Sequence, residues 1–232
     1  MILSNSAQAV LIINTVNDTI DVTSISGINL TNYSGVLNTR NTEKFFSIVL
    51  GLNGLIYCLP SSADTVMIIN PINNTIDMTT LSFTRFGLPV GSSNRFRFFG
   101  ACLGPDGNIY ASPWNYDRMI KIDTRMPLLT SVTIPSLVSN TNAFYGTICG
   151  SDGKIYGVPF SSNYVLIYDV TNRTVDTTSI SGIVGSTKYT GAVLSRNDNI
   201  YFIPRHASQI MYIKIGLPNQ TSWVYSCIFN KL

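Results

Sequence analysis

Gly150-Ser151-Asp152-Gly153-Lys154-Ile155-Tyr156-Gly157-Val158-Pro159 is the stretch whose reading decides the fold. Its core, Ile-Tyr followed by Pro three residues on, occurs four times. The copies are Ile56-Tyr57…Pro60, Ile109-Tyr110…Pro113, Ile155-Tyr156…Pro159 and Ile200-Tyr201…Pro204. Successive tyrosines are 53, 46 and 45 residues apart. Self-similarity at such a period marks a repeat architecture. A residue present in every copy is framework, so chemistry is to be sought in what does not repeat.

Working outward from 150–159, Phe144 to Cys149 reads as a first strand and Asp152-Gly153 as a tight hairpin turn with two positive-φ positions. Lys154 to Val158 is a second strand, stopped by Pro159, which has no N–H for a ladder. Tyr164 to Tyr168 is a third strand and Thr174 to Ile180 a fourth, rich in Thr and polar. Apolar inner strands with a wet last strand suit a four-stranded antiparallel sheet that stands radially, one edge at a central axis and the other at the rim. The expected fold is therefore all-β: a β-propeller of about five four-stranded antiparallel blades, with an incomplete N-terminal blade. Full blades fall at 44–82, 96–136, 143–181 and 188–229, and a half blade at 9–26 carries only a third and a fourth strand. Blade starts align as Phe45-Phe46-Ser47, Phe98-Phe99-Gly100 and Tyr189-Thr190-Gly191, and Trp223 to Ile228 is the candidate strand for closing the ring.

The phrase Gly-x-Asp-Gly-x-Ile-Tyr-x-x-Pro, then Val-Leu-Ile-x-Asp, then Thr-x-Asp-Thr-Thr-Ser-Ile-Ser-Gly, resembles a β-propeller repeat of proteins from protists, algae, some bacteria and large DNA viruses. It is similar in style to the NHL, YVTN and kelch-like propellers. The resemblance covers nearly the whole chain. It implies the fold, and no activity or site residues.

Charged residues are 12% of the 232, about half the ~25% of an average globular protein, and net charge is +3. So weak a bias argues little for a nucleic-acid partner. No apolar run approaches the ~18 residues that cross a bilayer, and Ala9-Val10-Leu11-Ile12-Ile13 lacks a basic flank. The expectation is no membrane span, no signal peptide and an intracellular or virion location. Cys58, Cys102, Cys149 and Cys227 form no C-x-x-C pair and read as reduced thiols within strands. Six Asn-x-Ser/Thr sequons match what a chain this rich in Asn, Ser and Thr produces by chance.

The acids fall into framework classes. Asp21, Asp77 and Asp176 share one repeat position, Asp106 and Asp152 the first turn, and Asp123 and Asp169 the turn after the third strand. Only Asp18, Glu43, Asp64, Asp117 and Asp198 stand outside these classes, all in turns or linkers. A propeller glycosidase needs carboxylates converging on the axis, which this pattern does not offer. His206 is the only histidine and no Gly-x-Ser-x-Gly turn accompanies it. No catalytic residue, metal site or cofactor is expected, and no small-molecule substrate is evident. The candidate interaction patch is Arg85, Arg95, Arg97, Trp114, Arg205 and His206, arginines and aromatics of the kind enriched at protein interfaces. Arg95 and Arg97 also read as a strand entry with Phe inward and Arg outward. The expected function is a non-catalytic protein-interaction or structural module, with a protein partner or self-assembly, for instance in a virus particle. A glycan-binding propeller is the alternative and a propeller hydrolase the third reading.

Overall fold

The computed structural model describes residues 2–3, 9–26, 44–90, 96–135, 137 and 141–215. Within it the repeated phrase closes on itself. Gly150 N–H donates to Lys154 O and Gly153 N–H to Gly150 O. Gly153 is left-handed, φ +76°, as are its equivalents Gly54 (+79°), Gly107 (+78°) and Asp198 (+60°). Each hairpin thus has one left-handed residue, not the two expected, because the loop is a turn followed by a single residue of positive φ. The leading glycine makes room. A Cβ on Gly150 would lie 2.8 Å from the Tyr156 ring, and on Gly104 2.6 Å from the Tyr110 ring. The phenols then donate back to the turn, Tyr110 to Asp106 Oδ2 and Tyr156 to Asp152 Oδ2, both at 2.8 Å. Burial, then the adjacent carboxylate, pushes both phenols well above their ordinary range. Gly153→Val is expected to cost about 1–3 kcal/mol, since a β-branched residue resists positive φ. Urea unfolding of the variant checks this; unchanged stability would count against the shared turn.

Among the described residues, five antiparallel sheets follow in chain order. The first contains β1 (Ile2–Leu3), β2 (Val10–Asn14) and β3 (Thr19–Asp21). The second contains β4 (Phe45–Leu50), β5 (Ile56–Pro60), β6 (Met67–Asn70) and β7 (Thr75–Asp77). The third contains β8 (Cys102–Leu103), β9 (Ile109–Ala111), β10 (Arg118–Asp123) and β11 (Leu128–Thr133). The fourth contains β12 (Phe144–Cys149), β13 (Lys154–Pro159), β14 (Leu166–Asp169) and β15 (Thr174–Asp176). The last contains β16 (Tyr189–Leu194), β17 (Asn199–Pro204) and β18 (Met211–Lys214). Each sheet packs on the next through its own apolar layer, for example Tyr57, Ile68 and Leu81 against Ile109, Ile120 and Ile122. The inner strands β4, β8, β12 and β16 are side by side.

Two expectations change. The N-terminal sheet is not only a third and a fourth strand: Ile2 and Leu3 pair with Leu11 and Val10. Two residues are too short a run to show alternation in sequence. The fourth strands are also shorter than expected. In β3, β7 and β15 the strand ends at Asp21, Asp77 and Asp176, whose Oδ1 accepts from the backbone N–H two and three residues on. Such a side chain offers the backbone an alternative to the ladder. The third sheet shows the converse. There Thr130 stands opposite Lys121, where Asp77 stands opposite Ile68, and β11 runs on to Thr133. For Asp77, burial alone would raise the carboxyl, but hydrogen bonds from Thr80 and Thr79 outweigh it and hold it at about 2. Cys58 is a buried free thiol, pushed up by that burial. Trp223 to Phe229, Cys227 and Arg95 lie outside the described residues.

A belt of backbone bonds ties the sheets together. Ser61 N–H donates to Lys44 O, Arg97 to Ser61, Trp114 to Arg97, Ala143 to Trp114, Phe160 to Ala143, Lys188 to Phe160 and Arg205 to Lys188. The belt alternates between the residue before each first strand and the residue after each repeated proline. The repeat period thereby becomes a continuous seam.

Candidate functional site

At the start of each inner strand the ladder carries one extra residue. Phe45 pairs with Pro60 and Ser47 with Leu59; Phe144 pairs with Pro159 and Thr147 with Gly157; Tyr189 pairs with Pro204 and Ala192 with Phe202. The third sheet has the same offset, from Phe98↔Pro113 to Cys102↔Tyr110. A bulge re-aims a side chain out of the pleat. Here it turns Phe46, Phe99 and Tyr145 toward one another. Ring centroids are 4.4 Å apart for Phe46–Phe99, 5.8 Å for Phe46–Tyr145 and 5.1 Å for Phe99–Tyr145.

Trp114 and Phe160, the residues after Pro113 and Pro159, close the flank of this cluster. Trp114 lies 4.8 Å from Phe99, 5.3 Å from Tyr145 and 4.4 Å from Phe160. The next equivalent position is Arg205, whose guanidinium carbon sits 5.4 Å from the Phe160 ring centre. His206 adjoins it, exposed, with Nδ1 hydrogen-bonded to Thr187 Oγ1. Trp114 and Phe160 are buried, while Phe46, Phe99 and Tyr145 are half-buried. The cluster is an aromatic platform with a basic edge, presented at one end of the inner strands.

Of the residues expected to form an interaction patch, Trp114, Arg205 and His206 come together here, joined by Phe160. Arg85 is exposed on a 3₁₀ turn (Thr84–Phe86), its guanidinium 5.8 Å from the Phe86 ring. Arg97 corrects the expectation. It is 1% exposed, and its guanidinium ion-pairs with Asp64, donates to Ala63 O at 2.7 Å and lies 5.4 Å from the Phe83 ring. Phe98 points inward as anticipated, but Arg97 is buried beside it instead of facing outward, because Asp64 of the preceding sheet supplies a buried counter-charge. Phe46, Phe99, Tyr145 and Phe160 were not among the candidates. The available signal was an aromatic in second place in three of the four blade starts, with Thr190 in the fourth.

The described acids do framework work. Asp106 and Asp152 hold the tyrosines, Asp123 and Asp169 accept backbone N–H groups of their turns, and Asp117 pairs with Arg118 at 2.7 Å. Among the described residues no three His, Cys, Asp or Glu side chains gather to hold a metal ion. Among the described residues, no helix is long and apolar enough to cross a membrane.

No family model matches the chain, and no curated protein sequence does. Solved structures do. The virginiamycin B lyase of Staphylococcus aureus superposes over 93% of this chain and 66% of its own, at 18% identity and TM-score 0.58. A protein from Bacteroides uniformis assigned as a 6-phosphogluconolactonase matches over 89% and 60%, at 13% identity and TM-score 0.60. The extracellular domain of a protein assigned as a one-component system of B. thetaiotaomicron matches over 92% and 26%, at 15% identity and TM-score 0.58. The chain spans less than two thirds of the length of each. At these identities the likeness is one of fold, and it establishes an all-β, propeller-like architecture of three- and four-stranded antiparallel sheets.

Proposed function

We propose that this chain is a non-catalytic interaction module: one propeller ring of five blades that docks a protein partner, or a second copy of itself, on the axial aromatic platform. The observation that carries this reading is the cluster of half-buried Phe46, Phe99 and Tyr145 against Trp114 and Phe160, edged by Arg205. Aromatic and arginine side chains dominate the energetically important centres of protein interfaces. In a propeller, function is carried by what is displayed on the disc, and Trp114, Phe160 and Arg205 occupy a position that does not repeat, while seven of the acids fall at repeated positions. A larger assembly, such as a virus particle, is the setting this reading suits. Closing such a ring requires an inner strand for the first sheet and a rim strand for the last. A glycan-binding site would want an amide beside an aromatic in blade after blade, and the positions after the prolines, Ser61, Trp114, Phe160 and Arg205, do not repeat.

The test is native mass spectrometry of the chain purified from its own source, beside Tyr145→Ala and Arg205→Glu. The expected result is one partner, or one further copy, at fixed stoichiometry, lost in both variants while thermal unfolding remains cooperative. A wild-type monomer, or a complex that survives both substitutions, would overturn the assignment of this platform.

A further inference from the structure

Each repeated tyrosine has a cross-strand neighbour on the third strand. Tyr57 faces Ile68, Tyr156 faces Ile167 and Tyr201 faces Tyr212, but Tyr110 faces Lys121. The next position is isoleucine in three sheets, Ile69, Ile122 and Ile213, but Tyr168 in the fourth. The turn after the third strand ends on a left-handed residue, Asp18 (φ +54°), Asn74 (+55°) and Arg173 (+57°). Asp and Asn tolerate that conformation because their short side chains bond locally; Arg has no such compensation. These three departures lie on two strands and a turn, in two different sheets. They nevertheless converge. Lys121, Tyr168 and Arg173 line a single groove of about 300 Å³ between the third and fourth sheets, together with Asp123, Leu128 and Val132, and with Thr130 and Ser131 on its border. At the neighbouring sheet interface, Ile68 and aliphatic partners fill the equivalent space.

The charges in the groove are unequal in commitment. Lys121 Nζ already faces Asp106 Oδ2 at 3.3 Å and sits over the Tyr110 ring, while Asp123 is held by its own turn and by Arg125. The Arg173 guanidinium makes no ion pair among the described residues. A planar fork of N–H donors beside aliphatic and phenolic walls matches one ligand chemistry, a carboxylate on a flat apolar body. The volume lies at the small end of the range for ligand sites. Strained backbone is characteristic of such sites, where the surroundings hold it in place.

From this convergence we infer that the groove between the third and fourth sheets is a binding site for a small aromatic or apolar carboxylate, with Arg173 as its anchor and Lys121 and Tyr168 as its floor. The site is separate from the axial platform and stands or falls without it. Benzoate is the probe, with neutral benzamide as its control, followed by NMR of ring-labelled tyrosine. Benzoate is expected to shift the Tyr168 resonances saturably, and benzamide to bind at least tenfold more weakly. Arg173→Asn and Lys121→Ile install the residues that sister sheets carry, so both variants should remain folded, with Tm no lower than wild type. Each is expected to weaken benzoate at least tenfold, whereas Arg85→Ala, on the exposed 3₁₀ turn away from the groove, leaves it unchanged. The absence of a saturable shift, equal binding of benzamide, wild-type affinity in Arg173→Asn, or an equal loss in Arg85→Ala would each overturn the site.

Discussion

Asp64→Ala is expected to lower stability by about 3–5 kcal/mol, the largest effect of any polar substitution in the chain. Removing one partner of a buried ion pair leaves the other charge uncompensated in a medium that solvates it poorly. Arg97 is that partner. Its side chain is 1% exposed, burial disfavours its charge, and the Asp64 carboxylate opposes that pressure. The pair also spans a sheet boundary, since Asp64 precedes β6 while Arg97 enters the third sheet and belongs to the backbone belt through Ser61 and Trp114. The loss should therefore appear in cooperative unfolding of the whole chain. A double variant, Asp64→Ala with Arg97→Met, removes both charges and keeps an apolar side chain of similar length. It is expected to recover most of the loss, because an apolar replacement of a buried pair is often neutral or better. Urea titrations of the single and double variants measure both. A single-variant cost below about 1 kcal/mol would place the pair in the class of exposed ion pairs and contradict its burial.

Gly100→Ala is the second large effect, at about 3 kcal/mol. A Cβ at Gly100 would lie 2.4 Å from Gly146 Cα and 2.8 Å from Thr147 N, atoms of the neighbouring inner strand. Overpacking against side chains costs about 1–3 kcal/mol, and backbone on the far side cannot rotate away, so the upper end applies. The contact is also where polar groups bridge the sheets. Thr147 Oγ1 donates to Gly100 O at 3.0 Å, and Ser112 Oγ donates to Gly146 O at 2.8 Å. Prying the strands apart for one methyl group strains both bonds. Gly54→Ala is the control. Its Cβ meets nothing within 4 Å and only its φ of +79° opposes the substitution, so its cost is expected near 1 kcal/mol. Equal Tm changes for the two variants would show that the inner strands are not in contact at Gly100.

Much of this architecture was legible because it is local and repeated. The Gly-x-Asp-Gly-x-Ile-Tyr phrase specifies a turn, a ring over a glycine and a hydroxyl returned to a carboxylate within seven residues, so recurrence alone exposes the period. The polar fourth strands were legible in kind, since Thr-rich alternation marks a wet edge. Their early ends were not, because the competition at Asp77 and Asp176 between a side-chain acceptor and the ladder is decided by geometry a few residues on.

What escaped the sequence is long-range in origin. Arg97 reads as an exposed basic residue until Asp64, 33 positions earlier, is placed against it. Phe46, Phe99 and Tyr145 read as ordinary strand starts, because an extra residue in a ladder has no signature in one strand alone; it exists only relative to the partner's register. Lys121, Tyr168 and Arg173 are unremarkable in sequence, each a single exception in its own copy of the repeat. Local pattern and turn chemistry determined the period, the strands and the all-β class. Which exceptions meet across two sheets, and which charge is buried, only the packing of one sheet on the next could decide, because burial and counter-charge are properties of the assembled interface and not of any segment of the chain.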